Sequence, residues 1–251
     1  MPNYGYKYRP WDKYAKRIIT HQELYFNNPL MFNDIFDCQA YGTIGNLKPE
    51  DYIKKDEKER VIRRTLVEML YKLHSDRSKD ISRFGVCCFS KECNSILMWS
   101  HYANYHHGIC FKFDLDKINI NGCFSDMQYV KSKPHFDFAD PNDDPLKWFF
   151  YKSTIWRYEH EIRGLVIPPQ KAKSNKYRKI YFPKDALEEI IFGVKFADKG
   201  NGKDFGEVLK VINLCQDNGL HDVKFYAMQQ NPLSSEYKIE KALVQVEKHS
   251  Y

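Results

Sequence analysis

The chain has 251 residues, of which 43% are hydrophobic and 16% aromatic, and it carries a formal net charge of +6. That much apolar material can build a packed core, so a disordered chain is excluded and one domain spanning residues 1–251 is expected. The basic residues are scattered along the chain rather than gathered in one tract, which supports generic nucleic-acid binding only weakly. No window reaches the roughly eighteen uninterrupted apolar residues of a membrane span. The stretch Met1–Arg9 lacks an apolar signal core, so a cytoplasmic protein with no membrane partner is expected. Seven cysteines, an odd number, fit buried free thiols in a reducing compartment. Cys87, Cys88 and Cys93 lack the paired spacing of a zinc site, and no metal is expected.

Residues 4–9 alternate Tyr4, Tyr6 and Tyr8 with Gly5, Lys7 and Arg9, the pattern of a strand with an aromatic and a basic face. Pro10 stops it. A short helix is predicted over Lys13–Thr20, a short strand over Glu23–Asn27, and an ordered turn over Phe32–Asp37. Pro49, Glu50 and Asp51 resemble a helix start, and Ile62, Leu66, Met69, Leu70 and Leu73 would line one face of that helix. Arg83–Ser90 reads as a central strand buried on both faces. Asn94 would cap a helix over Ser95–Tyr105 that is apolar nearly all round, hence buried on most sides, with His101 a hydrogen-bonded core residue. Ile109–Phe113 is the next strand, followed by Met127–Val130, a polar loop over Pro134–Pro145 and a helix over Leu146–Lys152. Beyond a basic loop after Pro168, strands are expected at Lys179–Phe182 and Glu189–Phe192. A helix carrying Phe205, Val208, Leu209, Ile212 and Cys215 on one face ends at Asn218-Gly219, and strands at Val223–Met228 and Glu240–Val246 finish the chain. Strands outnumber helices without regular alternation, which predicts an α+β fold of mixed or antiparallel sheets with flanking helices.

The segment Trp156–Arg163 carries the densest chemistry. Read as a strand, it puts Arg157, Glu159, Glu161 and Arg163 on one face and Trp156, Tyr158 and Ile162 on the other, with the two carboxylates about 6.5 Å apart. Such a row either binds a polar substrate and supplies a general base, or is a self-neutralised solvent face. Lys7 and Arg9 on the first strand, and Ser90 with the helix Trp99-Ser-His-Tyr102, are the other polar groups set in rigid surroundings. Each has a plain structural alternative: Arg9 pairing with a carboxylate, Ser90 capping the next turn.

Taken together, Tyr6-Lys-Tyr-Arg9, Phe32-Asn-Asp34, Cys88-Phe-Ser90, Met98–Ala103 with Gly108, Lys152 followed by Trp156, Tyr158-Glu-His-Glu161 with Arg163, and Ile190–Gly193 resemble the bacterial family called domain of unknown function 2971. The resemblance covers roughly residues 4–195. Ile35 stands where that family often has Pro, and the family name carries no activity. A looser resemblance, to ADP-ribosyltransferases, lies in an Arg on an early strand, a Ser ending a central strand, and a Glu-x-Glu on a later one. The matching positions are Arg9, Ser90 and Glu159-His-Glu161. It implies a split-sheet fold and NAD as substrate, with a protein, nucleic acid or water as acceptor. The serine segment departs from the usual Ser-Thr-Ser.

On that reading Arg9 and Lys7 attract or hold the pyrophosphate, and Tyr8, Trp99 or Tyr102 stacks on a ring of the dinucleotide, with Ser90 and His101 nearby. Glu161 binds the ribose and stabilises oxocarbenium charge, and Glu159 orients or deprotonates the acceptor. The protein would then be an ADP-ribosyltransferase or NAD glycohydrolase, of the kind found in bacterial toxins and phage-defence effectors. Two competing readings are a metal-dependent nuclease or phosphodiesterase built on Glu159, Glu161 and His101, and a ligand-binding module without turnover.

Overall fold

The computed structural model describes residues 3–38, 41–43, 81–137, 145–169, 174–198 and 204–244. The helix expected from Pro49 onward lies outside them. The fold is α+β. Its strands are β1 (Tyr4–Arg9), β2 (Glu23–Tyr25), β3 (Tyr41–Thr43), β4 (Gly85–Ser90), β5 (Ile109–Asp114), β6 (Gly122–Asp126), β7 (Gln128–Val130), β8 (His135–Asp137), β9 (Tyr151–Ser153), β10 (Glu161–Val166), β11 (Lys179–Tyr181), β12 (Leu187–Phe192), β13 (Lys224–Gln230) and β14 (Ile239–Leu243). The α-helices are α1 (Lys13–His21), α2 (Ile96–Tyr102) and α3 (Gly206–Asp217). Among the described residues no helix is long and apolar enough to cross a membrane.

Eight strands form one sheet in the order β14-β13-β12-β5-β1-β4-β10-β6, antiparallel except for the parallel pair β12 and β13. The central strands follow the near-continuous apolar runs of the sequence, as strands covered on both faces do. On β5, Ile109, Phe111 and Phe113 face one core while Cys110 faces the other. The first core lies under α1, through Ile18 and Ile19, and α3, through Val208, Val211, Ile212 and Cys215. The second packs Met98 and Trp99 of α2 against Tyr8, Ile191 and Met228. After Pro10, Asp12 caps α1 by accepting from the N–H groups of Tyr14 (2.9 Å) and Ala15 (2.8 Å), which satisfies two donors that the first turn leaves open.

Several expectations about the elements need correction. Residues Thr154–Glu159 form a 3₁₀ segment, not a strand, and only from Glu161 does the chain enter the sheet. Between them His160 takes a left-handed conformation, φ 42° and ψ 51°, which ends the alternation read from the sequence. The helix around Trp99 stops at Tyr102, because Asn104, Tyr105 and His106 all adopt positive φ. Ser95, not Asn94, caps that helix, and Ile96 and Leu97 are exposed on it. Residues 145–150 form 3₁₀ turns where an α-helix was expected.

The sheet is pinched at its middle. β1 pairs with β5 along six positions but with β4 at one, Tyr6 opposite Ser90. Beyond that pair β4 bonds instead to Asn27, whose N–H donates to Val86 O at 2.7 Å and whose C=O accepts from Val86 N–H at 2.8 Å. A fork opens between β1 and β4, and it positions the site.

Candidate functional site

The fork holds a hollow of about 1190 Å³ lined from β1 by Lys7 and Arg9, from β4 by Cys88 and Ser90, from α2 by His101 and Tyr102, and from β10 and the turn before it by Glu159 and Glu161. Ser90 lies in register with Tyr6 on one side and Glu161 on the other, so the three form a row across the sheet. Arg9 stands three residues further along β1, roughly 10 Å from that row. By strand parity Lys7 and Arg9 belong to the opposite sheet face from Ser90 and Glu161. The hollow reaches both faces because β1 and β4 have parted.

Its floor is a buried ionic cluster. Arg163 is wholly inaccessible and binds Asp37 in bidentate fashion, Nη1 to Oδ1 at 2.7 Å and Nη2 to Oδ2 at 2.8 Å. It also donates from Nε to Glu161 Oε1 at 2.7 Å and from Nη1 to Phe149 O at 2.8 Å. Lys152 lies between the two glutamates, donating to Glu161 Oε2 at 3.1 Å and to Glu159 Oε2. The Tyr102 hydroxyl donates to Glu159 Oε1 at 2.5 Å and accepts from Asn33 Nδ2 at 3.2 Å. Burial on this scale is tolerable only because each charge has partners. Three carboxylates against two cations leave one net negative charge when all are ionised.

The two glutamates are tuned apart. Burial by itself would raise the Glu161 carboxyl, but Arg163 and Lys152 overcome it and hold the group down at about 2, so it is ionised throughout the neutral range. Burial pushes Glu159 above the ordinary carboxylate range, against the opposing pull of Lys152 and the Tyr102 hydroxyl. A carboxyl held low and a carboxyl pushed up thus share one lysine, the kind of divergence that assigns separate roles to two acids. The same burial raises the Cys88 thiol well above its usual range and keeps it protonated.

The other end of the hollow is basic. Arg9, Lys13, Arg17 and Lys179 line it, with Asp12 and Glu23 as the acids among them. Arg17 is held by Glu23 through Nε at 2.9 Å and Nη2 at 2.6 Å. Among the described residues Arg9 makes a 3.6 Å ion pair with Asp12 and lies over the Tyr14 ring, 5.9 Å from its centroid, while its buried Nε–H has no acceptor. The Lys7 ammonium crosses the fork to donate to Cys88 O at 3.1 Å, taking the place of a missing ladder bond.

Most of the expected site residues meet here, and some do not serve as expected. Trp99 is fully buried in the second core, where its indole N–H donates to Cys93 O at 2.7 Å, so it offers no stacking face. Tyr8 is packed edge-on against Trp99 with its hydroxyl donating to Glu92 O at 2.7 Å. Ser90 is buried, and its hydroxyl accepts from Glu92 N–H at 3.2 Å, a turn cap. His101 is exposed rather than a core residue, its ring beside those of Tyr102 and Tyr158. Arg157 is exposed and stays outside the cluster, whereas Arg163 is inside it.

Sequence reasoning assigned no chemistry to Asp37 or Lys152. Asp37 lay in a segment legible only as a turn. Lys152 was visible only as part of a motif, with nothing to show that it would be buried. The geometry also bears on a divalent ion: Lys152 and Arg163 already stand where a cation would bridge Asp37, Glu159 and Glu161. No protein-family model, curated protein or solved structure gives a significant match to this chain.

Proposed function

We propose that the chain consumes NAD, as an ADP-ribosyltransferase or NAD glycohydrolase, and that its motifs place it with the proteins of domain of unknown function 2971. One observation carries this reading: Arg9, Ser90 and the Glu159/Glu161 pair, from three distant parts of the chain, line a single hollow that is basic at one end and acidic at the other. Its volume, about 1190 Å³, exceeds the usual range of about 300–1,000 Å³ for small-molecule sites and leaves room for a dinucleotide.

In this reading Arg9, with an unused guanidinium donor, holds the pyrophosphate, and Lys13 adds long-range attraction. The nicotinamide ribose sits over the cluster. When the bond from C1′ to the nicotinamide nitrogen breaks, its electron pair leaves with nicotinamide and positive charge develops on the ribose. The net negative cluster anchored by Glu161 stabilises that charge in a water-poor setting. An acceptor oxygen or nitrogen then bonds to C1′ and gives its proton to Glu159, whose raised affinity for protons suits a general base. Tyr102 and Lys152 hold Glu159 in place. The acceptor is a macromolecule for a transferase of the toxin or phage-defence type, and water for a glycohydrolase.

The test is to incubate the purified protein with NAD in the presence of a chelator and follow nicotinamide by chromatography. Wild type should release nicotinamide and Glu159→Gln should lose at least about a hundredfold in rate, the usual size of a general-base contribution. No release by wild type, or an unchanged rate in a folded Glu159→Gln, overturns the proposal.

A further inference from the structure

A second hollow of about 370 Å³ lies outside the fork, between the turn at residues 81–84, the 3₁₀ segment Asn175–Arg178 and Asn28. Among the described residues its lining contains no acid and no aliphatic side chain; arginine, serine, asparagine and one tyrosine make the wall.

The organising group is Arg178. The residue is 4% exposed and its stem is pressed over Gly85, where even a Cβ would come within 3.2 Å of Arg178 Cγ. A guanidinium has five N–H donors. Here one of them reaches Ser82 O, the Nε–H is buried with no acceptor, and among the described residues no carboxylate pairs with the charge. A buried cation left without a carboxylate carries a desolvation cost that a bound anion would offset. The Tyr177 ring, with its centroid 5.8 Å from the Arg178 guanidinium carbon, offers a cation–π contact, but Arg83, also without a carboxylate partner among the described residues, brings a second positive charge to the same hollow. Asn28 accepts from Leu30 N–H through its Oδ1 at 3.0 Å, which leaves its NH₂ group as a donor. Tyr177 fixes the geometry by donating its hydroxyl to Arg83 O, tying the two walls together.

We propose that this hollow is an oxyanion site that takes a phosphate dianion, free or as the terminal group of a small phosphomonoester. Arg178 and Arg83 would supply charge and forked donors, and Ser174, Asn175 and Asn28 the neutral hydrogen bonds, the residue types that recognise phosphate. The space exceeds what one phosphate fills, so a small organic group can accompany it. The proposal is independent of NAD turnover.

The experiment is calorimetric titration of the full chain with inorganic phosphate and, separately, with glycerol 3-phosphate, at low ionic strength. Wild type should bind at least one of them saturably; tighter binding of the ester marks an organic phosphate as the occupant, and tighter binding of the free ion marks phosphate itself. Arg83→Ala, at an exposed position, should fold normally and weaken binding about tenfold or more. Arg9→Ala, in the fork, should leave it unchanged. No saturable binding of either probe, or binding lost in Arg9→Ala but intact in Arg83→Ala, overturns the assignment.

Discussion

Replacing Lys152 by Met tests the ionic cluster with the least change of shape. Lys152 Nζ is within 4 Å of Asp37, Glu159 and Glu161, and its side chain is 5% exposed. Removing the ammonium leaves three carboxylates to one guanidinium, in a place where water cannot screen them. Breaking a buried ion pair by deleting one partner costs about 3–5 kcal/mol, against about 0–1 kcal/mol for an exposed pair. For a chain of this size that loss lowers Tm by roughly 6–20 °C. The sign with pH is fixed by Glu159, whose carboxyl already titrates above its unfolded range. Loss of Lys152 raises it further, so the folded variant binds more protons than its unfolded chain over a wider span. Stability of Lys152→Met relative to wild type should therefore be less impaired at mildly acidic than at mildly alkaline pH. Urea unfolding under both conditions, read as the change in midpoint at constant m, measures this. A loss below about 1 kcal/mol, or a loss independent of pH, would refute the view that the cluster is a tightly coupled buried unit.

Other consequences follow from the same geometry. Glu161 is depressed in the folded state to about 2 from an ordinary 4.5, so the unfolded chain binds more protons between those values. Stability should fall as pH drops through that window, and Glu161→Gln should flatten this acid limb in circular-dichroism titrations. Trp99→Ala removes a fully buried ring and its bond to Cys93 O, and should cost about 3–5 kcal/mol in chemical denaturation. Trp99→Phe should keep most of that stability and bind NAD as wild type does, since Trp99 does not line the hollow. Gly108→Ala would drive a Cβ into the carbonyl oxygen of Arg9 and into Ala103 O. It should destabilise by about 1–3 kcal/mol and weaken NAD binding by displacing the end of β1, read by thermal melting and titration.

The sheet was legible because its central strands are the apolar runs around Val86, Phe111 and Ile190, which a strand buried on both faces requires. Tyr4–Arg9 was equally plain from its alternation, and a short helix was expected after Pro10, although its capping residue, Asp12, emerges only from the structure. The error at Trp156–Glu159 is instructive. Apolar and charged residues alternate there as in a strand, yet the chain forms a 3₁₀ segment, with three residues per turn, that changes direction at His160. Glu159 and Glu161 therefore reach Lys152 from different elements instead of standing side by side on one. The helix around Trp99 was expected to run to Tyr105, since nothing local declares the positive φ of Asn104 and Tyr105. Asp37, Lys152 and Arg163 meet only through long-range packing, since Asp37 and Arg163 are 126 residues apart. Periodicity carries no information at that separation. The single-pair junction of β1 and β4, which creates the hollow, is a matter of register and likewise leaves no trace in composition.

The account stands most directly on whether the hollow between β1 and β4 binds NAD through Arg9. Calorimetric titration of NAD into Glu159→Gln, in chelator so that neither turnover nor a divalent ion contributes, should give saturable 1:1 binding. Arg9→Ala in the same background should weaken it about tenfold or more, the loss of a charge-assisted contact. Absence of saturable binding, or equal affinity with and without Arg9, would contradict the account.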